Sequence, residues 1–100
     1  MRLKLKSKGI KYDTSKDQWT LLPFDTLREV IRVLMLGAKK YSPDNWKYVL
    51  PKERYFDACI RHLTAWQAGE RKDPESKLNH LAHAICCLIF LLWHDKNNEM

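Results

Sequence analysis

The chain has 100 residues, a formal net charge of +6 and an apolar fraction of 45%. This length fits one domain, and this composition excludes an intrinsically disordered tail. The basic balance favours an anionic partner such as a nucleotide, a nucleic acid or a phosphorylated metabolite. A solvated charged N-terminus is the alternative for part of this excess, because the chain begins with closely spaced Arg2, Lys4, Lys6, Lys8 and Lys11.

The cysteines and the apolar runs indicate the compartment. Cys59, Cys86 and Cys87 are odd in number and two are adjacent, which excludes a secreted disulfide framework. Residues 1–11 mix basic with apolar residues and do not form a secretory leader. The apolar run 82–93 is shorter than the roughly 20 residues that cross a bilayer. These features predict a cytoplasmic protein without a membrane partner.

The N-terminal part, residues 1–22, lacks helical periodicity and is predicted to be an extended basic arm. Residues 2–6 alternate between basic and apolar and predict a short edge strand. A helical core then spans residues 23–94. Its first helix begins near residues 23–25, where Pro23 suits a first turn and Asp25 complements the helix dipole. Apolar residues follow at three- and four-residue steps as far as Ala38.

Two further helices follow a loop over residues 41–46. The second is predicted from near Pro51 to about Gln67, with Gly69 as its stop. The third is predicted from near Pro74 to about His94, with Asp73 as its cap. Its second half is apolar nearly all round, so we expect other subunits to pack along residues 85–93. The prediction is an all-α single domain of three main helices, completed by homo-oligomerisation.

Histidines and carboxylates are concentrated between residues 61 and 83. His80 and His83 share a helix face and could bind one metal ion, although a hydrogen-bonded pair in a helical core is the alternative. A tight hairpin could bring His62 to them. Capping alone would explain Asp73 and Glu75. The predicted metal ligands are Glu70, Asp73, His80 and His83, for Mg²⁺ or Mn²⁺, and the predicted catalytic residues are His62, Glu70 and Glu75, with His62 or Glu75 as general base.

A second constellation follows the first helix. Lysines can hold phosphates as mobile point charges, aromatic rings can stack on a base, and an asparagine can pair with a base edge. The alternative is a solvated helix end with two buried aromatic residues. The predicted nucleotide-binding residues are Lys39, Lys40, Tyr41, Asn45, Trp46 and Arg61.

The order of short motifs is similar to a known family. KYD at 11–13, GAKKY at 37–41, NW at 45–46, RHL at 61–63, GE at 69–70, DPES at 73–76 and HLAHA at 80–84 cover roughly residues 10–93. This set resembles small phage proteins identified as the N-terminal domain of dATP/dGTP diphosphohydrolases. The resemblance implies an all-helical, phage-encoded protein that handles purine nucleotides. Ser15 and Lys77 stand where that pattern leads us to expect glycine.

The chain differs from the related MazG-like all-α pyrophosphohydrolases, which hold magnesium through a dense EExxE…ExxD pattern that is missing from this sequence. Two functions are therefore consistent with the sequence. The first is a metal-dependent nucleotide phosphohydrolase. The second is a non-catalytic protein that sequesters a purine nucleotide or a cyclic-nucleotide immune signal of the host. A nucleic-acid-binding accessory role rests on charge alone and is the weakest of the interpretations.

Overall fold

The computed structural model describes residues 9–98 and shows an all-α fold, as predicted. The three α-helices are α1 (Phe24–Lys40), α2 (Glu53–Gln67) and α3 (His80–Asn98). Two short 3-10 helices, Trp19–Leu21 and Asn45–Tyr48, precede α1 and α2. The strand predicted at residues 2–6 lies outside the described residues. Within residues 9–98, no helix has the length and apolar character needed to cross a bilayer.

Helices α1 and α2 begin and end close to the predicted positions. The carbonyl of Pro23 accepts the amide of Leu27 at 3.1 Å, and Asp25 lies in the first turn of α1. Lys39 and Lys40 occupy its last turn, where positive charge is favourable near the helix C-terminus. The C-terminus of α1 therefore presents cations at the start of the 41–46 segment.

Helix α3 is the centre of the fold because it packs against both other helices. One buried cluster joins Val30 of α1 to Ala82 and Cys86 of α3. A second joins Cys59 of α2 to Ala84 and Cys87 of α3. The small alanine and cysteine side chains let the helices approach closely. Helices α1 and α2 therefore lie on two different faces of α3 with a cleft between them.

The predicted start of α3 near Pro74 is wrong, because the helix begins at His80. The carboxylate of Asp73 accepts hydrogen bonds from the backbone amides of Glu75 and Ser76 at 3.1 and 2.8 Å. These bonds close a turn and do not start a helix. Lys77 then adopts φ 67°, a left-handed conformation that interrupts a right-handed helix. Asn79 supplies the actual cap, because its Oδ1 accepts the amide of Leu81 at 2.8 Å.

The outer face of α3 remains exposed in a single chain. Leu88 and Leu92 are 54% and 62% exposed, and Phe56 of α2 is 54% exposed. An exposed apolar surface of this kind often marks an interface. Oligomerisation along residues 85–93 stays a prediction.

Candidate functional site

The α2–α3 hairpin joins two histidines and a carboxylate into one hydrogen-bonded chain. The imidazole of His80 is 4% exposed, and its Nε2 lies 2.8 Å from Oε1 of Glu70. A carboxylate can only accept, so Nε2 donates this bond. Nδ1 of His80 lies 2.8 Å from Nδ1 of His62. The predicted approach of His62 to the α3 histidines is present in the structure.

His83 lies next to this chain but has a different partner. Its ring stacks on that of His62, with centroids 4.5 Å apart and planes inclined by 8°. Its Nε2 is hydrogen-bonded to the hydroxyl of Ser76 at 2.7 Å. The backbone amide of Ser76 donates a hydrogen bond to the Asp73 carboxylate, which holds Ser76 in the 73–76 turn. The 73–76 segment therefore holds the second α3 histidine in place from outside the helix.

Burial lowers the pKa of both cleft-lining histidines. The pKa of His62 falls from 6.5 to about 4, because burial, His83 and His80 all disfavour its charged form. The pKa of His83 is also lowered, mainly by burial, although Asp73 opposes this effect. Burial would raise the pKa of Asp73, but hydrogen bonds from Ser76 lower it overall. Near neutral pH His62 and His83 are therefore neutral and Asp73 is ionised, which are the forms that bind metal ions.

A cleft of about 1210 Å³ runs between α1 and α2 and ends at this cluster. Its walls are apolar along α1, including Ile31, Leu34 and Met35, and Phe90 of α3 contributes to its lining. Pockets of this kind, mostly apolar with a few convergent polar groups, are typical of small-molecule sites. The predicted site residues that line it are Lys40, Tyr41, Asn45, Trp46, Arg61, His62, Asp73, Glu75 and His83.

Three predicted residues do not line the cleft. Lys39 lies on the exposed side of the last turn of α1. Glu70 and His80 are outside the cleft lining and are hydrogen-bonded to each other. Glu75, predicted as a possible general base, has a side chain that is 84% exposed and pairs with Lys40 at 3.7 Å. This ion pair connects the end of α1 to the 73–76 turn across the cleft.

The two aromatic residues of the 41–46 segment have different surroundings. Trp46 stacks on Phe90 with centroids 4.5 Å apart and contacts Trp93 edge-on at 5.3 Å. Its carbonyl accepts a hydrogen bond from Nε2 of His94 at 3.1 Å. Tyr41 is 64% exposed and has only the Lys40 ammonium over its ring, at 5.3 Å, among the ring contacts of the described residues. Tyr41 is therefore the aromatic ring that remains accessible to a ligand, whereas Trp46 packs the 45–48 turn onto α3.

Three of the clustered residues meet the geometric requirement for one metal ion. Ligand atoms of His62, Asp73 and His80 all lie within 4.8 Å of one another. This set differs from the predicted one, because His62 joins it, Glu70 is bonded to His80, and His83 is bonded to Ser76. A set of two imidazoles and one carboxylate fits a divalent transition metal.

Sequence reasoning missed Arg54 and Ser76. Arg54 lines the cleft about two helical turns before Arg61, on the same side of α2. The seven-residue spacing of these arginines is a signal that could have been found. The role of Ser76 depends on the non-helical 73–79 segment, which the helix prediction obscured.

Comparison with known proteins gives a consistent relationship. A family model described as "dATP/dGTP diphosphohydrolase, N-terminal" matches residues 6–100. A dATP/dGTP diphosphohydrolase of Salmonella phage PMBT28 is 39% identical over 85 residues, which are 85% of this chain and 29% of that protein. The chain thus spans less than a third of the length of this relative. No solved structure matches the chain.

Proposed function

The chain belongs to the dATP/dGTP diphosphohydrolase N-terminal family, and we propose that its cleft binds a purine nucleoside triphosphate for metal-dependent hydrolysis. The observation that carries this proposal is the continuity of one cleft. It joins the cations Lys40 and Arg61 to the cluster of His62 and Asp73. A phage-encoded origin is part of the same proposal and is supported by the phage relative.

The chemistry of the cleft suggests how the ligand lies in it. Arg61 and Lys40 suit phosphate oxygens, since guanidinium and ammonium groups bind them by charge-assisted hydrogen bonds. The apolar wall of α1 and the exposed ring of Tyr41 suit the base. We therefore place the phosphates toward His62 and the purine toward Met35.

The proposed reaction is attack of water on the α-phosphorus of the triphosphate, with breakage of the α–β phosphoanhydride bond. Nucleoside monophosphate and pyrophosphate leave, and the proton of the water passes to the solvent. A divalent cation, when bound, would polarise phosphate oxygens and lower the pKa of a water molecule. His62 fits a ligand better than a general base, because an imidazole with a pKa of about 4 is a weak base at neutral pH. Arg61 would stabilise negative charge that develops on the phosphates.

The experiment incubates the 100-residue chain with purine nucleoside triphosphates in chelator, Mg²⁺, Mn²⁺ or Zn²⁺, followed by chromatography of the products. We expect nucleoside monophosphate and inorganic pyrophosphate as products, and only when a metal ion is present. Arg61→Gln should weaken nucleotide binding by about tenfold or more, as expected for loss of a charge-assisted hydrogen bond. Arg28→Gln is the matched control, because Arg28 is exposed on α1 and does not line the cleft.

Sequestration of a nucleotide or a cyclic nucleotide is the second proposal, and the carboxylates favour it. Of the three acidic residues predicted at the site, Glu70 is bonded to His80 and Glu75 is paired with Lys40. Of these three, Asp73 is the carboxylate left for metal-assisted chemistry, whereas Arg54 and Arg61 still supply positive charge to the cleft. The same experiment separates the two functions. Stoichiometric capture of the nucleotide, with its intact recovery after denaturation, would contradict hydrolysis and support sequestration.

A further inference from the structure

We propose that His62, His80 and Asp73 bind one divalent transition-metal ion, and that Glu70 is the carboxylate that orients His80 for this role. The inference deepens the proposed function because it concerns the same cleft. It can be tested without any nucleotide, since it depends only on the protein groups. The geometric basis is the convergence of the three side chains, whose ligand atoms lie within 4.8 Å of one another.

Glu70 determines which nitrogen of His80 is available. Its Oε1 accepts a hydrogen bond from the Nε2–H of the buried imidazole at 2.8 Å. In the neutral ring, Nδ1 then carries the lone pair, and Nδ1 is the atom that points at His62. Metal-ligating histidines commonly donate their other N–H to a carboxylate in this way, which fixes both tautomer and ring orientation. Glu70 thus prepares His80 as a ligand without touching the ion.

The separation of the two Nδ1 atoms is close to what a shared ion requires. Two nitrogens that each lie about 2.0–2.1 Å from one tetrahedral ion stand about 3.3 Å apart. The observed distance between His62 and His80 is 2.8 Å, so a small opening of the hairpin suffices. Without an ion, a proton on His62 Nδ1 can bridge the pair. With an ion, that proton moves to Nε2 and both Nδ1 lone pairs are free to bind.

Asp73 completes the set from the turn between the helices. Its Oδ2 accepts two backbone amides, which fix the carboxylate in position, and a carboxylate has further lone pairs to offer an ion. His62 and Asp73 line the cleft, whereas His80 lies behind it. A further coordination position would therefore face the cleft, as in catalytic sites with three protein ligands.

The donor atoms select the class of ion. Imidazole nitrogens favour Zn²⁺, Co²⁺, Mn²⁺ or Fe²⁺, whereas Mg²⁺ prefers a shell of oxygen atoms. The sequence predicts Mg²⁺ or Mn²⁺ with Glu70 and Asp73 as carboxylate ligands, but Glu70 is hydrogen-bonded to His80, so Asp73 is the one carboxylate of the set. We therefore assign a transition-metal ion to this site and expect Mg²⁺ to bind weakly.

The test titrates the metal-free 100-residue chain with Zn²⁺ by calorimetry and with Co²⁺ by visible absorption, which reports the ligand set directly. We expect one ion per chain, and Co²⁺ bands that indicate mixed nitrogen and oxygen ligation. His62→Gln and Asp73→Asn should weaken Zn²⁺ binding at least tenfold, and Glu70→Gln about tenfold, in the range known for groups that support metal ligands. The matched control is Asp57→Asn, because Asp57 is an exposed carboxylate that lines the same cleft outside the set.

Circular dichroism establishes that each variant is folded, and Asp73→Asn retains an acceptor for the two turn amides. Wild-type affinity in both His62→Gln and Asp73→Asn would overturn the site, as would Zn²⁺ binding no tighter than Mg²⁺ binding. These results do not depend on nucleotide. Metal binding without turnover would therefore support the metal site and count against hydrolysis. Turnover in chelator would support hydrolysis and contradict its dependence on a metal ion at this site.

Discussion

Nδ1 of His62 and Nδ1 of His80 lie 2.8 Å apart, although 18 residues separate them in the chain. The contact exists because α2 and α3 form an antiparallel hairpin whose connection folds back through the 73–79 turn. The pair lies between an outer carboxylate, Glu70, and the cleft, which His62 lines. One hydrogen-bonded chain thus connects the protein surface to the part of the cleft where the cations and histidines meet.

The lowered pKa of His62 predicts that the protein loses stability in mild acid. In the folded state this pKa is about 4, against an ordinary value of 6.5. Between these pH values the unfolded chain binds a proton at this side chain and the folded chain does not. The free energy of unfolding should therefore decrease as the pH falls from about 6.5 to about 4, and below that this group contributes no further loss.

Urea unfolding at a series of pH values measures this effect. His62→Gln should show a shallower decrease over the same window, because the titrating group is gone. His83, whose pKa is also lowered from 6.5, contributes in the same direction and should leave a residual slope in the variant. The lowered pKa of Asp73 affects stability only below about pH 3.8, outside this window. An identical pH dependence in wild type and His62→Gln would contradict the assignment.

Lys77→Gly should stabilise the protein by up to about 1 kcal/mol. Lys77 has φ 67°, where a Cβ atom costs roughly 1–2 kcal/mol, and glycine adopts this conformation freely. The extra freedom of glycine in the unfolded chain offsets part of this gain. The position also explains why the family pattern leads one to expect glycine there. Thermal and urea unfolding measure the change.

The control for this substitution is Lys72→Gly, in the same exposed segment. Lys72 pairs with Asn79 in an isolated bridge and has no positive φ. Glycine there gains no relief and loses backbone entropy, so we expect destabilisation of about 0.5–1 kcal/mol. Equal effects at the two positions would mean that the left-handed conformation of Lys77 does not carry the difference.

Sequence patterns were sufficient for the number of main helices and for the grouping of the histidines, but not for the start of α3 or for which of the predicted side chains converge. The boundaries of α1 and α2 follow from local signals such as Pro23 and the apolar steps, which act within a few residues. The start of α3 does not, because Asp73 followed by proline and glutamate is also a good helix start. Only tertiary contacts, such as that of Ser76 with His83, select the turn.

The same limit explains the residue roles. By residue type alone, Glu70 and Asp73 are equally suited to bind a metal ion. Their different positions around His80 follow from the path of the 70–79 segment, which the residue types do not reveal. Likewise, Tyr41 and Trp46 both suit base stacking by type, and only the position of Phe90 shows that the Trp46 ring is already packed.

Substitution of these two aromatic residues should separate ligand binding from folding. Tyr41→Ala should leave stability within about 0.5 kcal/mol, because the ring is exposed, and should weaken purine nucleotide binding severalfold. Trp46→Ala should destabilise the fold by about 2–4 kcal/mol through loss of its contacts with Phe90 and Trp93. Unfolding curves and nucleotide titrations of both variants measure this. A large stability loss in Tyr41→Ala, or none in Trp46→Ala, would contradict these roles.

The three thiols should be unreactive in the folded protein. Cys59, Cys86 and Cys87 are 3%, 2% and 7% exposed and are free of disulfides. Burial, with a smaller effect of the neighbouring thiol, raises the pKa of Cys86 to about 12 and that of Cys87 to about 11. The reactive thiolate is therefore scarce at pH 8, and access requires the helices to open. We expect alkylation by iodoacetamide to be at least about a hundredfold slower in buffer than in urea, where all three should react, as read by mass spectrometry. Labelling of any one cysteine in buffer at the rate of a free thiol would show that the packing of α3 against α1 and α2 opens readily.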